Sequence, residues 1–267
     1  MTTTQEFLKE IKEKDIHTRQ DREKYLGQEL NKFIDSGGIM HDFGDSDSTP
    51  HLDLVYDFVR WYPSDMYEHL PTLRKYAGKC DTVCEFGTND LTSTLGLLSG
   101  FPKHLITLDL NHPDDIFALT FEPFSPNRKE NEEPMVIKLN LETVNKIAAE
   151  NEIEFKFIQT NSLEFSFNSV DLLFIDSLHT YTQLTKELML HSKKVKKYII
   201  LHDTEFYGEK GQDNKDDEGN YLCPHWETKG IGHAIAEFLE NPYSGWVIDK
   251  HYTNCHGLTI LKRPWIA

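Results

Sequence analysis

The chain has 267 residues, and its 44 Asp and Glu outnumber its 28 Lys and Arg to give a net charge of −16. That charge opposes unspecific attraction to phosphate backbones and anionic membranes, so neither nucleic acid nor a membrane surface is expected as a partner. The length suits one large α/β domain with a full core. The start MTTTQEFLKEIKEKD lacks an apolar signal-type stretch, and no run approaches the roughly 20 apolar residues of a membrane span, so the expectation is a cytoplasmic protein.

Residues Thr4 to Phe33 scatter Phe7, Leu8, Ile11, Leu26, Leu30 and Phe33 among dense charges, which predicts an amphipathic helix broken near its middle, a cap or a homo-oligomer contact. Ser36 to Pro50 is turn-rich and reads as a linker or a loop over a site mouth, with His41 and Asp42 within it. Together with a helix at Leu52 to Trp61 these make an N-terminal extension, 1–63, ahead of a main domain, 64–267. A second helix is predicted over Asp65 to Tyr76 with Ser64 as its N-cap. The next stretch, TVCEFGTNDLTST from Thr82 to Thr94, reads as strand, tight turn and helix start. Gly87 lets backbone approach a ligand there, and free N–H groups of the helix are expected to face it.

Further strands follow, several ending in polar or acidic residues. HLITLD ends in Asp109, which lies 24 residues after Glu85, near the spacing of a ribose-binding acid in dinucleotide-type folds. Asn111 to Pro134 carries four prolines and reads as loop; Asn140 to Asn151 is helical by pattern; and EFKFIQ, Glu154 to Gln159, is a strand followed by Thr160, Asn161 and Ser162. VDLLFI, Val170 to Ile175, is apolar enough for burial on both faces and runs into Asp176 and His179. YIIL, Tyr198 to Leu201, runs into His202 and Asp203. A helix, Tyr181 to Lys194, lies between them. In a parallel sheet these ends share one edge, so Asp176, His202 and Asp203 are expected to converge there. Two carboxylates and an imidazole suit a divalent cation such as magnesium, manganese or iron, and they equally suit acid–base chemistry with His179 or His202 as base. The polar stretch Phe206 to Trp226 reads as a mobile lid. Gly230 to Leu239 is helical, and Trp246 to His251 with Gly257 to Lys262 closes as an antiparallel hairpin. Cys80, Cys84, Cys223 and Cys255 show no paired spacing and read as reduced, structural thiols.

From about Ser64 to Arg263 the chain resembles class I S-adenosylmethionine-dependent methyltransferases. The stretches that carry the likeness are CEFGTNDLTST, LITLDL, FIDSLHTY, YIILHDT, GIGHAIAEFL and HGLTILKR, and the branch is that of the cephalosporin hydroxylase-like and macrolide or rhamnosyl O-methyltransferases. The resemblance implies a Rossmann-like α/β fold: a seven-stranded, mostly parallel sheet whose last strand is antiparallel, with helices on both faces. It further implies that Glu85, Gly87, Thr88 and Ser93 line the methionine end of S-adenosylmethionine, that Asp109 holds the ribose and Ser162 the adenine. Asp176, His202 and Asp203 match the positions where catechol O-methyltransferase-like enzymes hold magnesium. The chain departs from the pattern at Leu91, where such cradles usually have a second glycine, at Asn161, where an aspartate is common, and at His202, which replaces a carboxylate. The expected activity is O-methylation of a small-molecule or sugar acceptor, with His179, His202 and Asp176 as the catalytic group. A scaffold that kept the fold and lost the cofactor is the alternative. A short-chain dehydrogenase is disfavoured because GxGxxG is absent and Thr185, not a lysine, follows Tyr181 by four residues. A metal-dependent oxygenase would also use a histidine with two carboxylates.

Overall fold

A computed structural model describes residues 52–61, 64–116, 119–120, 136–137, 140–212 and 229–266. The expectations for Thr4 to Phe33, Ser36 to Pro50, Cys223 and most of the loop before Trp226 lie outside the described residues.

Chain order runs α1 (Leu52–Trp61), α2 (Leu70–Ala77), β1 (Thr82–Phe86), α3 (Thr92–Leu98), β2 (His104–Asp109), α4 (Pro113–Ile116), β3 (Leu119–Thr120), β4 (Val136–Ile137), α5 (Leu141–Glu150) and β5 (Glu154–Gln159). It continues through β6 (Val170–Ile175), α6 (Tyr181–His191) with a 3-10 turn over Ser192–Lys194, β7 (Val195–His202), α7 (Ile231–Glu240), β8 (Val247–Tyr252) and β9 (Leu258–Lys262). The main sheet has seven strands in the order β5-β2-β1-β6-β7-β9-β8. The pairs β5/β2, β2/β1, β1/β6 and β6/β7 are parallel, whereas β9 runs antiparallel to both β7 and β8. This is the Rossmann-like arrangement expected, its final strand inserted against the direction of the rest.

Burial explains why the central strands read as apolar runs. All six residues of β6 are buried, and the period-two alternation sends them to two separate cores. Leu172 and Phe174 join Leu52, Val55, Leu70, Leu95 and Val144 on one face. Leu173 and Ile175 join Phe86, Leu184, Leu188, Ile199 and Ile235 on the other. Each fully buried side chain of this size contributes roughly 1.5–3 kcal/mol of transfer free energy.

Three sequence expectations need correction. The helix expected from Asp65 begins only at Leu70, because Pro71 has no N–H to give and is tolerated in a first turn but not in an interior. Ser64 Oγ instead accepts the Met66 N–H at 3.2 Å in the preceding turn. The stretch read as loop from Asn111 holds α4, with Pro113 at its first position, and β3, which pairs with β4. The helix read through Lys194 tightens to 3-10 after His191. Elsewhere Asn140 caps α5 by accepting the Thr143 N–H at 2.8 Å, and Thr180 caps α6 through Gln183. Among the described residues no helix is long and apolar enough to cross a membrane, and Cys80, Cys84 and Cys255 are free thiols.

Candidate active site

The parallel strands all point the same way, so Gly87, Asp109, Thr160, Asp176 and Asp203 fall at or just beyond five strand ends on one edge. The cradle after β1 is built on Glu85, which is fully buried. Ser93 Oγ and Thr94 Oγ1 each donate to its carboxylate at 2.6 Å. Burial outweighs these bonds and that from Thr107, and pushes the Glu85 carboxyl up to about 7. Gly87 has φ +92, and a Cβ there would lie 2.0 Å from the Asp176 carbonyl oxygen, so only glycine lets β1 and β6 deliver their ends side by side.

Several N–H groups of the turn, and that of the first helical residue, are held by carboxylates of the chain itself. Those of Thr88 and Asn89 donate to Asp109 Oδ2 at 3.0 Å each, Asn111 N–H donates to Asp109 Oδ1, and Thr92 N–H donates to Asp90 Oδ1. Carboxylates that follow the strand ends have taken these donors. Thr88 turns its hydroxyl inward to Thr107 at 2.6 Å. Leu91, at the position of the missing glycine, has φ 66 and ψ 2 and is fully buried. The left-handed turn is therefore kept by a leucine at an expected steric cost of about 1–2 kcal/mol, set against the burial of its side chain in the core.

The second half of the edge is a cluster of imidazoles and carboxylates. Asp176, His202 and Asp203 present ligand atoms within 4.8 Å of one another, as their spacing implied. His202 is 1% exposed; its Nε2 donates to the Cys255 carbonyl at 3.1 Å, and its Nδ1 lies 3.3 Å from Asp176 Oδ1 and 3.7 Å from Asp203 Oδ1. Burial opposes charge on His202, but the carboxylates of Asp176 and Asp203 prevail and push it up to about 9. His179 Nε2 sits 3.1 Å from oxygens of both Asp176 and Asp203, its Nδ1 faces Gln212 Oε1 at 3.0 Å, and Tyr207 stacks on its ring. With acceptors on both nitrogens, His179 is held as imidazolium, raised against the effect of its burial by Asp176 above all. Burial works against ionisation of Asp176, yet the two imidazoles hold it well below the usual carboxylate range.

Two histidines escaped the sequence reading. His256 Nδ1 lies 3.0 Å from Asp203 Oδ1 and 3.9 Å from Asp65. Buried His69 donates through Nε2 to the carbonyls of Asn254 and Cys255 and meets His202 edge-on. The signal for His256 was the hairpin itself, since β9 pairs with β7 at His202↔Leu258 and so drops the turn onto the strand-end edge. Backbone strain gathers at this point: Asp203, Cys255 and His256 have φ of 59, 44 and 64.

A cleft of about 650 Å³ joins the two halves. Of the expected site residues, Gly87, Ser93, Asp109, Ser162, Asp176, His179 and Asp203 line it; Glu85, Thr88 and His202 lie behind its wall. Asp65, Asp90, Asp109, Asp176 and Asp203 all face it, and no Lys or Arg does among the described residues.

No family model matches this chain, and no curated protein does. Solved structures are similar in shape. A protein from Corynebacterium glutamicum is 11% identical, with 90% of this chain and 98% of the other covered at a TM-score of 0.49. The O-methyltransferase from Bacillus cereus in complex with SAH is 13% identical, with 73% and 80% covered at 0.46. An SAH-bound methyltransferase from Podospora anserina is 12% identical, with 88% and 95% covered at 0.45. Scores below 0.5 at such identities leave the chain's own strand order as the ground for its fold.

Proposed function

We propose that this chain is an S-adenosylmethionine-dependent O-methyltransferase acting on a hydroxyl of a small molecule or sugar, with a divalent cation held by Asp176, His202 and Asp203. The observation that carries the reading is the charge of the cleft: five aspartates face it and no described Lys or Arg does, so that the imidazoles of His179 and His202 beside Asp176 and Asp203 offset only part of the negative charge. Such a lining repels the pyrophosphate of a dinucleotide and favours a cationic ligand that also brings hydroxyl donors. A sulfonium nucleoside has both properties.

The donor set fits a divalent cation. His202 has spent Nε2 on the Cys255 carbonyl, which fixes the ring and turns Nδ1 toward the two carboxylates, where a bound cation would take the place of the Nδ1 proton. A bound cation would supply Lewis acidity, lowering the pKa of an acceptor hydroxyl, and bound S-adenosylmethionine would supply an activated methyl group that needs in-line placement and loss of the acceptor proton. Asp109 would accept from one ribose hydroxyl, since a carboxylate offers about four lone-pair sites and three N–H groups already occupy it. His179 is the imidazole that reaches the cleft; a cation held by Asp176, His202 and Asp203 would oppose its positive charge and favour loss of its proton, and the neutral ring could then take the proton of the acceptor hydroxyl. Leu91 weighs against the scaffold alternative, because the backbone keeps its left-handed turn without the glycine.

Isothermal titration with S-adenosylmethionine and S-adenosylhomocysteine, each with and without magnesium or manganese, tests the reading. Micromolar binding that weakens at least about tenfold in Asp109→Ala is expected, as for the loss of a charge-assisted bond. Absence of binding under every condition would move the scaffold to first place.

A further inference from the structure

Asp203 serves two sets of donors, and the chemistry above uses one of them. Its Oδ1 lies 3.7 Å from His202 Nδ1 on the buried side and 3.0 Å from His256 Nδ1 on the outer side. Asp65 Oδ2 stands 3.9 Å from the same His256 nitrogen, so Asp65, Asp203 and His256 form a second group whose ligand atoms all lie within 4.8 Å of one another. Donors bound about 2.1 Å from one cation lie roughly 3–3.5 Å apart. Asp65 is exposed, and a side-chain rotation closes the remaining gap.

The outer nitrogen is held by the fold. The His256 carbonyl accepts the N–H groups of Glu205 and Phe206 at 2.9 and 3.0 Å, and the Phe206 ring stacks on the imidazole with centroids 4.5 Å apart. Those contacts fix backbone and ring and keep Nδ1 aimed at Asp203. Cys255, the residue before, fixes His202 through its carbonyl, so one hairpin turn orients an imidazole of each set. Charge points the same way. Asp65, Asp90, Asp176 and Asp203 face this end of the cleft. Burial above all, and then the charges of Asp65 and Asp176, raise the Asp90 carboxyl against its bonds from Thr92, so the protein itself leaves this negative field unrelieved. Four carboxylates exceed what one dication and the His179 imidazolium carry together, whereas two dications match them with His179 neutral.

We propose that Asp65, Asp203 and His256 hold a second divalent cation beside the one assigned to Asp176, His202 and Asp203, with Asp203 Oδ1 as the bridging oxygen. This rests on the first cation of the reading above and adds another. The nitrogen donor in each set favours a first-row transition ion such as manganese or zinc over magnesium or calcium. On binding, the ion takes the place of any proton on His256 Nδ1, which leaves to solvent.

The test counts manganese ions. Isothermal titration of manganese chloride into the full chain, freed of metal by chelation, is expected to show two sites in wild type and one in His256→Gly, where glycine suits the left-handed φ of 64. Asp65→Asn alters an exposed side chain and is expected to weaken the second site at least about tenfold, with the first within about threefold of wild type. Paramagnetic resonance reads the bridge: wild type with two equivalents shows a spin-coupled pair, and His256→Gly with one shows the hyperfine pattern of an isolated ion. Ions gathered weakly by scattered surface acids are uncoupled. One manganese site or none in wild type, an unaltered second site in either variant, or an uncoupled wild-type spectrum overturns the proposal. S-adenosylhomocysteine titrated into the same preparation separates the failures. If it binds while manganese fills a single site, this inference alone falls; if it does not bind, the methyltransferase reading falls and the manganese count still decides this one.

Discussion

The two halves of the strand-end edge handle buried negative charge in opposite ways. In the cradle, Glu85 is surrounded by neutral hydroxyls, and burial wins: its carboxyl is drawn up to about 7. In the cluster, half-buried Asp176 is surrounded by imidazoles, and the partners win: it stays ionised, while His202 rises to about 9. Neutral dipoles do not replace water around a carboxylate as fully as a neighbouring cation does. The cradle is thus a place where shape is fixed and charge suppressed, and the cluster one where charge is kept and protons are shared.

The halves meet at Gly87, and the largest effect is expected there. Gly87→Ala sets a Cβ against the Asp176 carbonyl at a left-handed φ, so it should lower stability by about 4 kcal/mol or more in urea unfolding and weaken both cofactor and metal binding. Loss in one half only would show that the halves are joined elsewhere. Next comes Glu85→Gln. An unfolded glutamate titrates near 4.5 and the folded one near 7, so the stability Glu85 contributes is full below pH 4.5 and is lost as pH rises to 7. Wild type should therefore lose about 3 kcal/mol more than the glutamine variant between pH 4.5 and 8. Identical pH profiles for the two would mean that the hydroxyls hold the charge after all. Smallest in energy is Asp203→Asn, chosen because asparagine tolerates the left-handed backbone. Manganese affinity by titration should fall about 100-fold, or about 2.7 kcal/mol, with S-adenosylhomocysteine affinity in metal-free buffer within threefold of wild type. A parallel fall in both would erase the distinction between the halves.

Much of this edge is legible in the amino-acid sequence. The bounds of β2, β5 and β6 coincide with the runs HLITLD, EFKFIQ and VDLLFI: β6 is buried along its whole length and reads as a nearly continuous apolar run, whereas β5 lies at the sheet edge and alternates exposed with half-buried residues over most of its length. Asp176, His202 and Asp203 converge for the same topological reason. What lay beyond reach depended on partners far off in sequence. His256 gains its place only through the β7/β9 pairing. Nor does any local pattern record that Asp109 binds the backbone of Asn89 and Thr88, 20 and 21 residues earlier.

Leu91 has one further consequence, for kinetics. A cradle hinged on glycine can relax when empty and must be re-ordered by whatever enters it. Here the turn's side chain is packed in the same core as Leu70 and Leu95, so its ordering entropy is already lost when the protein folds. Entry then resembles rigid docking, and ligands of this cleft should differ in how long they stay far more than in how fast they arrive.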